Sequence, residues 1–569
     1  MKTITHKVSL CVIGGGLAGM CTAISAARQG ISTLIMQERP VFGGNASSEI
    51  RMWVCGARNC LETGLIEEIR LENQYRNTQI NYSVWDSILF EKVRFQENLE
   101  SLLNCSCLQA ETENGVIRSV TGWQMTTQTY HKVEADFFAD CSGDSIVALL
   151  SGAEVRKGRE GSGEFNESLA PEEADSKTMG LSCLLQAREM TTPQKYIPPA
   201  WANKYPDEDS FPQRGHDLNK IQNFWYLELG GDQDSVADTE TLRDELLKVA
   251  FGFWDHIKNH GDHGAENWML DWVGFLPGKR ESYRCMGDYI LTQKDLFEPG
   301  EMEDICAYGG WPMDDHHPGG FHHFGPPNTN IYPPKPYPIP MRSLYSRNIP
   351  NLLFAGRNIS CTHTGLSSTR VMATCAILGQ AVGVMAAYAV KNNLSSIRET
   401  CQKYCKEIQQ TLMEDDCYLP GLVRAIPALS KEASLTVSSG NGEMLRNGID
   451  RALGEESNAW SCKAGDYAQY SFKETTPLKE VRLVFDSDLK RNHLNTVANY
   501  FLDQKDFQVP DTLVKAFHLE ADGKVIYECT NNYQRLVKIP LENIKVRSLR
   551  LVIDSLRKEE SAVFAFDVR

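Results

Sequence analysis

Histidine, aspartate and arginine side chains that can move protons or hold an anion concentrate in two short stretches of the chain. The richer stretch, residues 311–323, contains the adjacent pair His316 and His317 next to Asp314 and Asp315. Histidine suits the removal of a hydroxyl proton near neutral pH, so acid–base catalysis is one interpretation. Metal binding and a solvated Gly/Pro-rich loop are the alternatives. The spacing matches no helix-based zinc motif, and we therefore predict no metal site.

Two arginines and one further histidine are the other candidate catalytic residues. Arg280 and Arg284 lie close together in the segment 277–284. A guanidinium presents a fixed fork of donors, which can orient a polar or anionic substrate; the alternative is a run of ion pairs on the surface. His363 lies in a loop before a helix rich in small residues. It is either a catalytic base or a histidine that only hydrogen-bonds backbone carbonyls.

The elements that must position these residues start at the N-terminus. Residues 8–13 form a short apolar run typical of a buried parallel strand, and a helical pattern follows through residue 27. Between them lies G-x-G-x-x-G, a turn that places a dinucleotide pyrophosphate on the helix N-terminus. A second strand, 32–37, is followed about 20 residues beyond the glycines by an acid, the spacing of a ribose-binding carboxylate. The motif predicts a nucleotide site formed by Gly14, Gly16, Leu17, Ala18, Gly19 and Glu38.

The residues after this acid favour FAD over NAD. The stretch 39–48, with Gly43-Gly44 at its centre, resembles the segment that carries the chain along the extended cofactor in glutathione-reductase-like flavoproteins. An NAD-only dehydrogenase has no reason for this stretch. The turn 141–144, which follows a predicted strand, resembles the Thr-Gly-Asp turn of the same flavoproteins, although Cys141 and Ser142 depart from the commonest residues.

A third segment lies about two hundred residues further along the chain. A predicted strand closes on Gly356-Arg357, and residues 365–370 lead into a helix rich in alanine and glycine. This resembles the C-terminal FAD segment of the same superfamily, in which a helix N-terminus points at the flavin pyrimidine. A helix dipole stabilises the anionic charge of reduced flavin. The alternative, an alanine–glycine helix packed on the sheet, explains the small residues but not the Gly-Arg turn.

The three matches, over residues 8–400, resemble the bacterial FAD-dependent oxidoreductases grouped with the heterodisulfide-reductase A-like flavoproteins. The resemblance implies FAD as the cofactor. Some relatives carry iron–sulfur clusters, but this sequence lacks the clustered cysteines for one. The resemblance adds these cofactor-binding residues: Arg39, Gly43, Gly44, Ser142, Gly143, Asp144, Gly356, Arg357 and Arg370.

The predicted fold is an α/β Rossmann-like FAD/NAD(P)-binding domain with an inserted α+β substrate or cap domain, plus a C-terminal all-β sandwich. In the insert, residues 223–229 are predicted to form a strand and 239–258 an amphipathic helix. The short strands near the C-terminus resemble a galactose-binding-like sandwich, which either binds sugar or is structural, and Trp460 is expected in its core. The predicted domains are 1–164 and 336–395 (FAD-binding), 165–335 (cap), 396–430 (helical linker) and 431–569 (sandwich).

Composition restricts the partners and the compartment. The net charge of −16 argues against nucleic acid as a partner. The 17 cysteines are scattered, which suits free thiols in a reducing compartment. The N-terminus lacks the pattern of a secretory signal, and no apolar run reaches the ~18 residues of a membrane helix. The sequence therefore predicts a cytoplasmic protein without a membrane partner.

The function predicted from these features is hydride transfer from a polar organic substrate to flavin N5. Sugars and sugar derivatives are the leading substrate class, because a sugar-binding type of sandwich is appended and the insert is polar and aromatic. The electron acceptor is not indicated. Two alternatives stay open: a redox-neutral, flavin-assisted lyase or glycoside-cleaving enzyme, and a non-catalytic carbohydrate-binding protein with a relict nucleotide fold.

Overall fold

The computed structural model describes residues 1–58, 60–210, 214–218, 223–491 and 508–569. The described chain divides into two compact units. The first contains residues 1–58 and 79–408, and the second contains residues 60–78 together with residues from 409 onwards. The second unit thus takes a short piece from the N-terminal part of the sequence, which the predicted domain boundaries do not include.

Both units contain helices, and the first contains most of the short strands. The strands of the first unit are β1 (Lys2–Ile13), β2 (Thr33–Met36), β3 (Leu99–Leu102), β4 (Cys105–Glu113), β5 (Val116–Gln124), β6 (Thr129–Asp140), β7 (Val155–Arg156), β8 (Leu181–Ser182), β9 (Leu185–Glu189), β10 (Glu228–Leu229), β11 (Trp268–Val273), β12 (Gly278–Lys279), β13 (Arg284–Cys285), β14 (Ile305–Gly309), β15 (Met313–His316), β16 (Asn328–Ile331), β17 (Tyr337–Pro340) and β18 (Leu352–Phe354). The helices are α1 (Leu17–Arg28), α2 (Leu65–Arg76), α3 (Tyr82–Arg94), α4 (Ile146–Ser151), α5 (Ser162–Phe165), α6 (Thr239–Asn259), α7 (Gln293–Phe297), α8 (His363–Thr369), α9 (Met372–Lys391), α10 (Ile397–Glu414) and α11 (Ala428–Glu432).

A seven-stranded sheet organises the first unit, in the order β3-β2-β1-β6-β5-β4, with β18 also pairing with β6. The pairs β3-β2, β2-β1, β1-β6 and β6-β18 are parallel. The parallel strands therefore end at one edge of the sheet, where α/β proteins bind their ligands. Buried apolar residues at the ends of β1 and β2 and throughout β18 explain why these runs form interior strands. The predicted Rossmann-like architecture is confirmed.

The residues of the predicted cap, 165–335, form the long helix α6 and short two- and three-stranded sheets. The predicted helix agrees with α6. The predicted strand 223–229 is wrong over most of its length, since only Glu228–Leu229 is a strand. Phe224 has a φ of 53°, a left-handed conformation that a strand does not allow. Its ring is buried in the core beside α6, so the aromatic residues of this segment pack there without forming a ladder.

The second unit is antiparallel and all-β apart from its helical segments, and the predicted C-terminal all-β domain is confirmed. Its strands join in the order β20-β25-β21-β24-β22-β23, with β19 pairing with β21. They are β19 (Ser434–Val437), β20 (Trp460–Cys462), β21 (Tyr467–Phe485), β22 (Val514–Ala521), β23 (Lys524–Cys529), β24 (Leu536–Leu556) and β25 (Ser561–Val568). Trp460 is 1% exposed and lies in the core, as predicted. Leu71 of α2 belongs to the same core.

Helix α9 is apolar and long enough to span a membrane, with a mean hydropathy of 1.7, which the search for apolar runs in the sequence did not anticipate. However, 89% of its apolar window is buried inside the protein. Its small residues explain this burial, because a Cβ on Gly379 would lie 2.1 Å from the carbonyl oxygen of Ala18 on α1. Gly383 also packs closely on α1, since a Cβ there would lie 2.5 Å from the carbonyl oxygen of Thr22. The burial is that of a core helix.

Candidate active site

The glycine turn between β1 and α1 is too tight for side chains at two positions. Gly14 has a φ of 102°, and a Cβ there would lie 2.3 Å from the carbonyl oxygen of Cys141. A Cβ on Gly19 would lie 1.8 Å from the carbonyl oxygen of Gly14, so only glycine lets α1 approach β1 this closely. At Gly16 the nearest atom to an added Cβ is Gly44 Cα, at 3.9 Å. The turn is therefore open on the side of Gly16.

The first turn of α1 presents backbone donors at this open side. Gly16 is the N-cap and has no side chain to accept a hydrogen bond, and Leu17, Ala18 and Gly19 follow as the first helical residues. The N–H groups of a first helical turn have no partner within the helix and attract anions. The predicted nucleotide-binding residues of the glycine turn thus form one cradle, whose backbone donors suit a pyrophosphate.

The end of β2 presents two side chains, and the sequence singled out only one of them. Gln37 is buried, and its Oε1 accepts a hydrogen bond from the N–H of Gly15 at 2.7 Å. The side chain of Glu38 is 67% exposed and lies 3.9 Å from the Arg39 guanidinium. Gln37 directly follows Met36, the last residue of β2, and this position was the signal that it faces the glycine turn. Glu38 stays the predicted ribose ligand, with Gln37 added beside the turn.

The Gly43–Gly44 turn packs on the cradle. Gly43 N–H donates to the carbonyl of Gly15 at 2.8 Å, and Gly43 also forms a parallel bridge with Gly16. A Cβ on Gly44 would lie 3.0 Å from Gly16 Cα, so the two glycine segments touch through their backbones. Arg39 is held at this end of the site by Glu49, at 3.4 Å. The contact between the two glycine segments is therefore made by backbone atoms.

The two later FAD-like turns meet because β6 and β18 are parallel neighbours. Arg357 donates to Asp144 Oδ1 at 2.5 Å, and Lys279 Nζ lies 3.0 Å from Asp144 Oδ2. Arg357 covers Gly143, where an added Cβ would lie 2.2 Å from Nη1 of the arginine. Burial raises the pKa of Asp144, but Arg357 and Lys279 outweigh it and hold the pKa below its usual range. Predicted residues from both turns, Gly143, Asp144 and Arg357, are therefore in one ion-paired group, with Gly356 beside them.

Asp140, the last residue of β6, fixes the first of these turns. Its Oδ1 accepts from the backbone N–H of Ser142 at 3.1 Å and from the Ser142 hydroxyl at 2.6 Å. Its Oδ2 accepts from the N–H groups of Val147 and Ala148, at 2.8 and 3.1 Å, at the start of α4. Burial raises the pKa of Asp140 in spite of these donors. The hydrogen bonds of Ser142 therefore stabilise the shape of this turn. Asp140, which accepts them, was not identified from the sequence.

The cradle, the Gly43–Gly44 turn and the paired turns lie at the carboxyl edge of the sheet and fit a dinucleotide there. The cradle offers backbone donors, and Gly14 and Gly19 permit the close packing that brings a pyrophosphate to the helix N-terminus. FAD held there would supply the acceptor for a hydride. The geometry thus fits FAD.

His363 lies at the centre of a buried charge cluster. Its Nδ1 lies 3.0 Å from Glu281 Oε2, and its Nε2 lies 3.0 Å from Asp315 Oδ1. Arg284 pairs with Glu281 and, at 2.7 Å, with Glu160. The second oxygen of Glu160 accepts the His363 backbone N–H at 2.8 Å. The sequence predicted His363 and Arg284 as separate candidates, and the structure joins them through carboxylates.

The two carboxylates determine the charge of this histidine. Burial alone lowers the pKa of His363, but Glu281 and Asp315 outweigh it and raise the pKa to about 10. Burial likewise raises the pKa of Asp315, and the histidine lowers it to below its usual range. At neutral pH the cluster holds an imidazolium between two carboxylates. His363 is therefore not a free proton acceptor.

His316 and Arg280 belong to a second buried cluster. Arg280 Nη1 lies 3.4 Å from Glu228 Oε2, and His316 Nδ1 lies 2.6 Å from the same oxygen. His316 Nε2 lies 3.4 Å from Asp314 Oδ2, to which Arg370 donates at 2.9 Å. Burial raises the pKa of Asp314, but His316 and Arg370 lower it well below its usual range. Arg280 and Arg284 are 6% and 0% exposed, respectively. The alternative that segment 277–284 is a run of ion pairs on the protein surface is therefore wrong.

Strand β15 separates the two clusters. Asp314 and His316 point to one face of the strand and Asp315 to the other, since side chains alternate along a strand. On the first face both groups are buried by Glu228 and Arg370. On the second face Asp315 reaches His363 and stays partly exposed, with 28% of its side chain accessible. Asp315 is thus the point at which the His363 cluster meets open space.

That open space is a cavity of about 450 Å³. Its described wall is polar and carries both signs of charge: Arg159, Lys177, Asp232, Asp315, His317, Pro318, Gly319, His323, Pro326, Asn328 and Thr329. The Arg159 guanidinium is held by Asp175, with hydrogen bonds of 3.0 and 2.5 Å. Neither Arg159 nor Lys177 was identified from the sequence, because they lie far from the other candidates along the chain.

His317 lies on the wall of this cavity, away from His316. Its ring stacks on that of His323 with the centroids 3.4 Å apart. Burial lowers the pKa of His317, and His323 and Arg159 lower it further, so the ring is neutral at pH 7. The N–H of Gly319 donates to Nδ1 at 3.1 Å, which leaves the ring proton on Nε2. Of the predicted catalytic histidines, His317 is the one that faces the cavity directly.

Similarity to known proteins bears on this site. No curated protein matches the chain. Among solved structures, a geranylgeranyl bacteriochlorophyll reductase-like protein from Thermoplasma acidophilum is 10% identical, with a TM-score of 0.31 over 72% of this chain and 86% of that one. The L-proline dehydrogenase from P. horikoshii is 17% identical with a TM-score of 0.17, and the match covers 25% of this chain and only 24% of the dehydrogenase. The carbohydrate-binding module CBM32 of AlyQ, in complex with 4,5-unsaturated mannuronic acid, is 13% identical with a TM-score of 0.17 over 24% of this chain and 93% of the module.

A family match covers the described cradle, both charge clusters and the cavity. It extends over residues 9–412, which is more than half of the chain, and the family is described as FAD dependent oxidoreductase. The glycine cradle and the paired turns lie inside this range. The chain therefore belongs to the FAD dependent oxidoreductase family, binds FAD and is an FAD-dependent oxidoreductase.

Proposed function

We propose that this oxidoreductase oxidises a hydroxyl group of a small polyhydroxylated substrate, a sugar or sugar derivative, bound in the cavity beside Asp315. The observation that carries the proposal is the shared position of Asp315. It lines the cavity and also bonds to His363, the first residue of α8, which follows the Gly356–Arg357 turn of the FAD site. A substrate in the cavity would lie next to the part of the chain that forms the FAD site.

The cavity wall matches the chemistry of a sugar. Aspartate carboxylates accept hydrogen bonds from vicinal hydroxyls, and an asparagine side chain both accepts and donates them; the wall contains Asp232, Asp315 and Asn328. Arg159 and Lys177 add positive charge on the same wall, which favours a sugar that carries a carboxylate. We therefore place sugar acids ahead of neutral sugars in the proposed substrate class.

Asp315 is the proposed acceptor of the substrate hydroxyl proton. In the oxidation the C–H bond gives up a hydride to the cofactor, the O–H bond breaks, and a carbonyl forms. As the hydride leaves, the hydroxyl becomes strongly acidic, so a carboxylate with a lowered pKa is basic enough. His363 then acts as a positioning residue that holds the carboxylate by its Nε2–H bond. His317, with its proton on Nε2, is proposed to donate to a second substrate oxygen.

The remaining predicted catalytic residues are proposed as positioning residues. Arg284 holds Glu281 and Glu160, which in turn hold the His363 ring and backbone. Arg280 and His316 hold Glu228 and Asp314 on the opposite face of β15. Neither these three residues nor the four carboxylates that they hold are among the described residues that line the cavity.

The test is anaerobic addition of substrates to the FAD-loaded protein, followed by visible absorption. A matched set of aldoses, alditols and uronic acids is used, each against a deoxy analogue. Loss of the flavin bands with a uronic acid, but not with its deoxy analogue, is the expected result. Bands that no sugar changes overturn the sugar proposal while leaving the family assignment intact.

The two alternative functions gain no support from the site. A non-catalytic carbohydrate-binding protein is not consistent with membership of the FAD dependent oxidoreductase family. A redox-neutral lyase predicts turnover without an electron acceptor, and the same anaerobic experiment detects it as product formed with no lasting change of the flavin bands.

A further inference from the structure

A second group of ligating side chains lies in the insert and has no part in the proposed oxidation. It consists of Glu208, His216, His256 and His263. Glu208 begins the 3₁₀ turn Glu208–Ser210, His256 lies on α6, and His216 and His263 lie in the segments before and after that helix. One ligand atom from each residue lies within 4.8 Å of all the others. Four ligand atoms from separate parts of the insert thus converge on one point.

The distances are close to those of a tetrahedral metal site. Glu208 Oε2 lies 3.0 Å from His216 Nε2. Glu208 Oε1 lies 3.4 Å from both His256 Nε2 and His263 Nε2. Zinc bonds of about 2.0–2.1 Å in a tetrahedron put neighbouring ligand atoms roughly 3.3 Å apart. The ligand atoms lie within 4.8 Å of one another, so a zinc ion at the centre would draw the most distant pair together by no more than about 1.5 Å.

The imidazole rings are oriented as in metal sites. His256 Nδ1 lies 2.8 Å from the carbonyl oxygen of Tyr205, and His216 Nδ1 lies 3.0 Å from the carbonyl oxygen of Arg214. A carbonyl only accepts, so each Nδ1 carries the proton and each Nε2 points into the cluster. Metal-bound histidines characteristically donate their second ring N–H to a carbonyl or carboxylate in this way. This orientation is an observation independent of the clustering itself.

The three histidine rings pack around the point at which the ligand atoms converge. The three rings are also in contact, with centroids 4.7 to 5.2 Å apart. Nε2 of His263 is shielded from solvent and makes no hydrogen bond within the part of the chain that the structure describes. A cation at the centre satisfies all of these donors at once.

We propose that Glu208, His216, His256 and His263 bind one Zn²⁺ as a closed structural site. Three imidazoles and one carboxylate are borderline ligands that suit zinc. Four protein ligands fill the tetrahedron and leave no open position for a substrate, which distinguishes a structural from a catalytic zinc. No sequence motif indicated this site, because the ligands are spread over residues 208–263.

The zinc would brace the wall of the cavity. Arg214, two residues before His216, donates to the carbonyls of Gly325 at 2.6 Å and Gly320 at 2.7 Å. It also donates to the carbonyl of His323, at 3.1 Å, and His323 lines the cavity. Fixing His216 to α6 thus fixes the segment whose arginine holds this loop. The metal acts on the shape of the cavity and takes no part in the chemistry.

The experiment uses the untagged, FAD-loaded full-length protein. The protein is stripped with a chelator, titrated with zinc against a chromogenic chelator, dialysed, and analysed for several metals by mass spectrometry. We expect about one zinc per chain and a higher melting temperature in the presence of zinc. Glu208→Gln and His263→Gln alter partly exposed positions and are expected to weaken zinc binding at least about 100-fold.

His260→Gln is the matched control, because His260 follows the same helix but is not one of the four ligands. It should bind zinc like the parent. Less than one zinc per five chains in the dialysed parent, or equal zinc affinity in H263Q and H260Q, overturns the site. A different metal retained at full stoichiometry overturns the assignment to zinc. Neither result depends on enzyme activity.

Discussion

At the scale of single residues, Asp315 connects two environments that its neighbours keep apart. One of its oxygens bonds to a buried imidazolium, and part of its side chain faces the cavity. Asp314, one residue earlier, has neither exposure nor a place on that wall, because it points to the other face of β15. The chemistry proposed here therefore depends on strand geometry as much as on residue type.

Replacing Asp315 by Asn should slow flavin reduction by the substrate about 10²–10⁴-fold, since the amide cannot accept the hydroxyl proton. Stopped-flow absorption under anaerobic conditions measures this rate. Asp232→Asn is the control, because Asp232 lines the same cavity and has no bond to His363. Equal losses in both variants would show that Asp315 only binds substrate.

His363→Gln should destabilise the protein by about 3–5 kcal/mol, because it leaves buried carboxylates without their cation. The pKa of His363, about 10 in the folded state, is raised from 6.5, so its contribution is fully present below pH 6.5 and is lost as the pH rises through about 10. The difference in unfolding free energy between parent and variant should therefore shrink as the pH rises from 7 to above 10. Denaturant titrations across this range measure it. The exposed His322→Gln should show no such trend, and a constant difference for H363Q would contradict the assigned charge.

Gln37 and Glu38 give a direct comparison at the nucleotide site. Gln37→Ala removes the acceptor for Gly15 N–H and should weaken FAD binding about tenfold, through loss of the turn's shape. Glu38→Ala should also weaken FAD binding about tenfold if the exposed Glu38 carboxylate binds the ribose. Fluorescence titration of the apoprotein with FAD measures both. Unchanged affinity in E38A would remove Glu38 from the list of ligands.

At the scale of elements, the FAD site is a product of close backbone packing. Strands β1, β6 and β18 bring three turns to one edge of the sheet. Helix α1 packs closely against β1 and against α9 only at positions occupied by glycine. Replacing glycine by alanine should therefore be very unfavourable at some positions and nearly neutral at others. The distance from the added Cβ to its nearest atoms distinguishes these positions.

Gly19→Ala should abolish FAD retention during purification, because its Cβ would overlap the carbonyl of Gly14 at 1.8 Å. Gly163→Ala meets no atom within 4 Å and should retain FAD like the parent. The ratio of flavin absorbance to protein absorbance reports the difference. Full retention in G19A would mean that α1 can move away from β1 without loss of the site.

Sequence patterns predicted the elements better than the contacts between side chains. The glycine motif, α6 and the C-terminal strands follow local rules of periodicity and turn chemistry, and each lies where it was expected. The strand predicted over 223–229 was wrong over most of its length. The aromatic residues of this segment are buried beside α6 without forming a strand, and their alternation in the sequence does not distinguish the two cases. Glu281, Glu160 and Glu228 were not identified, because a buried carboxylate is recognisable only from partners that are distant along the chain.

At the scale of the whole molecule, the second unit is assembled from distant parts of the sequence. Helix α2 contributes Leu71 to the core of this unit, and its Tyr75 ring stacks on Tyr533 with the centroids 3.9 Å apart. Glu67 on the same helix binds Arg491 at 2.7 Å and accepts the Ser487 hydroxyl at 2.6 Å. The all-β unit is thus incomplete without a helix from the N-terminal part.

Leu71→Ala should destabilise the second unit by about 2–5 kcal/mol through the cavity it leaves. Limited proteolysis should then cut within residues 409–569 sooner, while FAD stays bound to the first unit. Val525→Ala, at a position 58% exposed in the same unit, is the control and should leave the cleavage rate unchanged. Loss of FAD without faster cleavage would contradict the assignment of α2 to the second unit.

The place of α2 also affects how the protein is made. More than 300 residues separate the end of residues 60–78 from the remainder of the second unit at residue 409. At synthesis rates of about 5–20 residues per second, α2 leaves the ribosome roughly 15–65 s before synthesis of the remainder of its unit begins. During that interval the apolar face that carries Leu71 is exposed on the nascent chain. Chaperone demand during translation is therefore expected to centre on this helix, well before the C-terminal strands are synthesised.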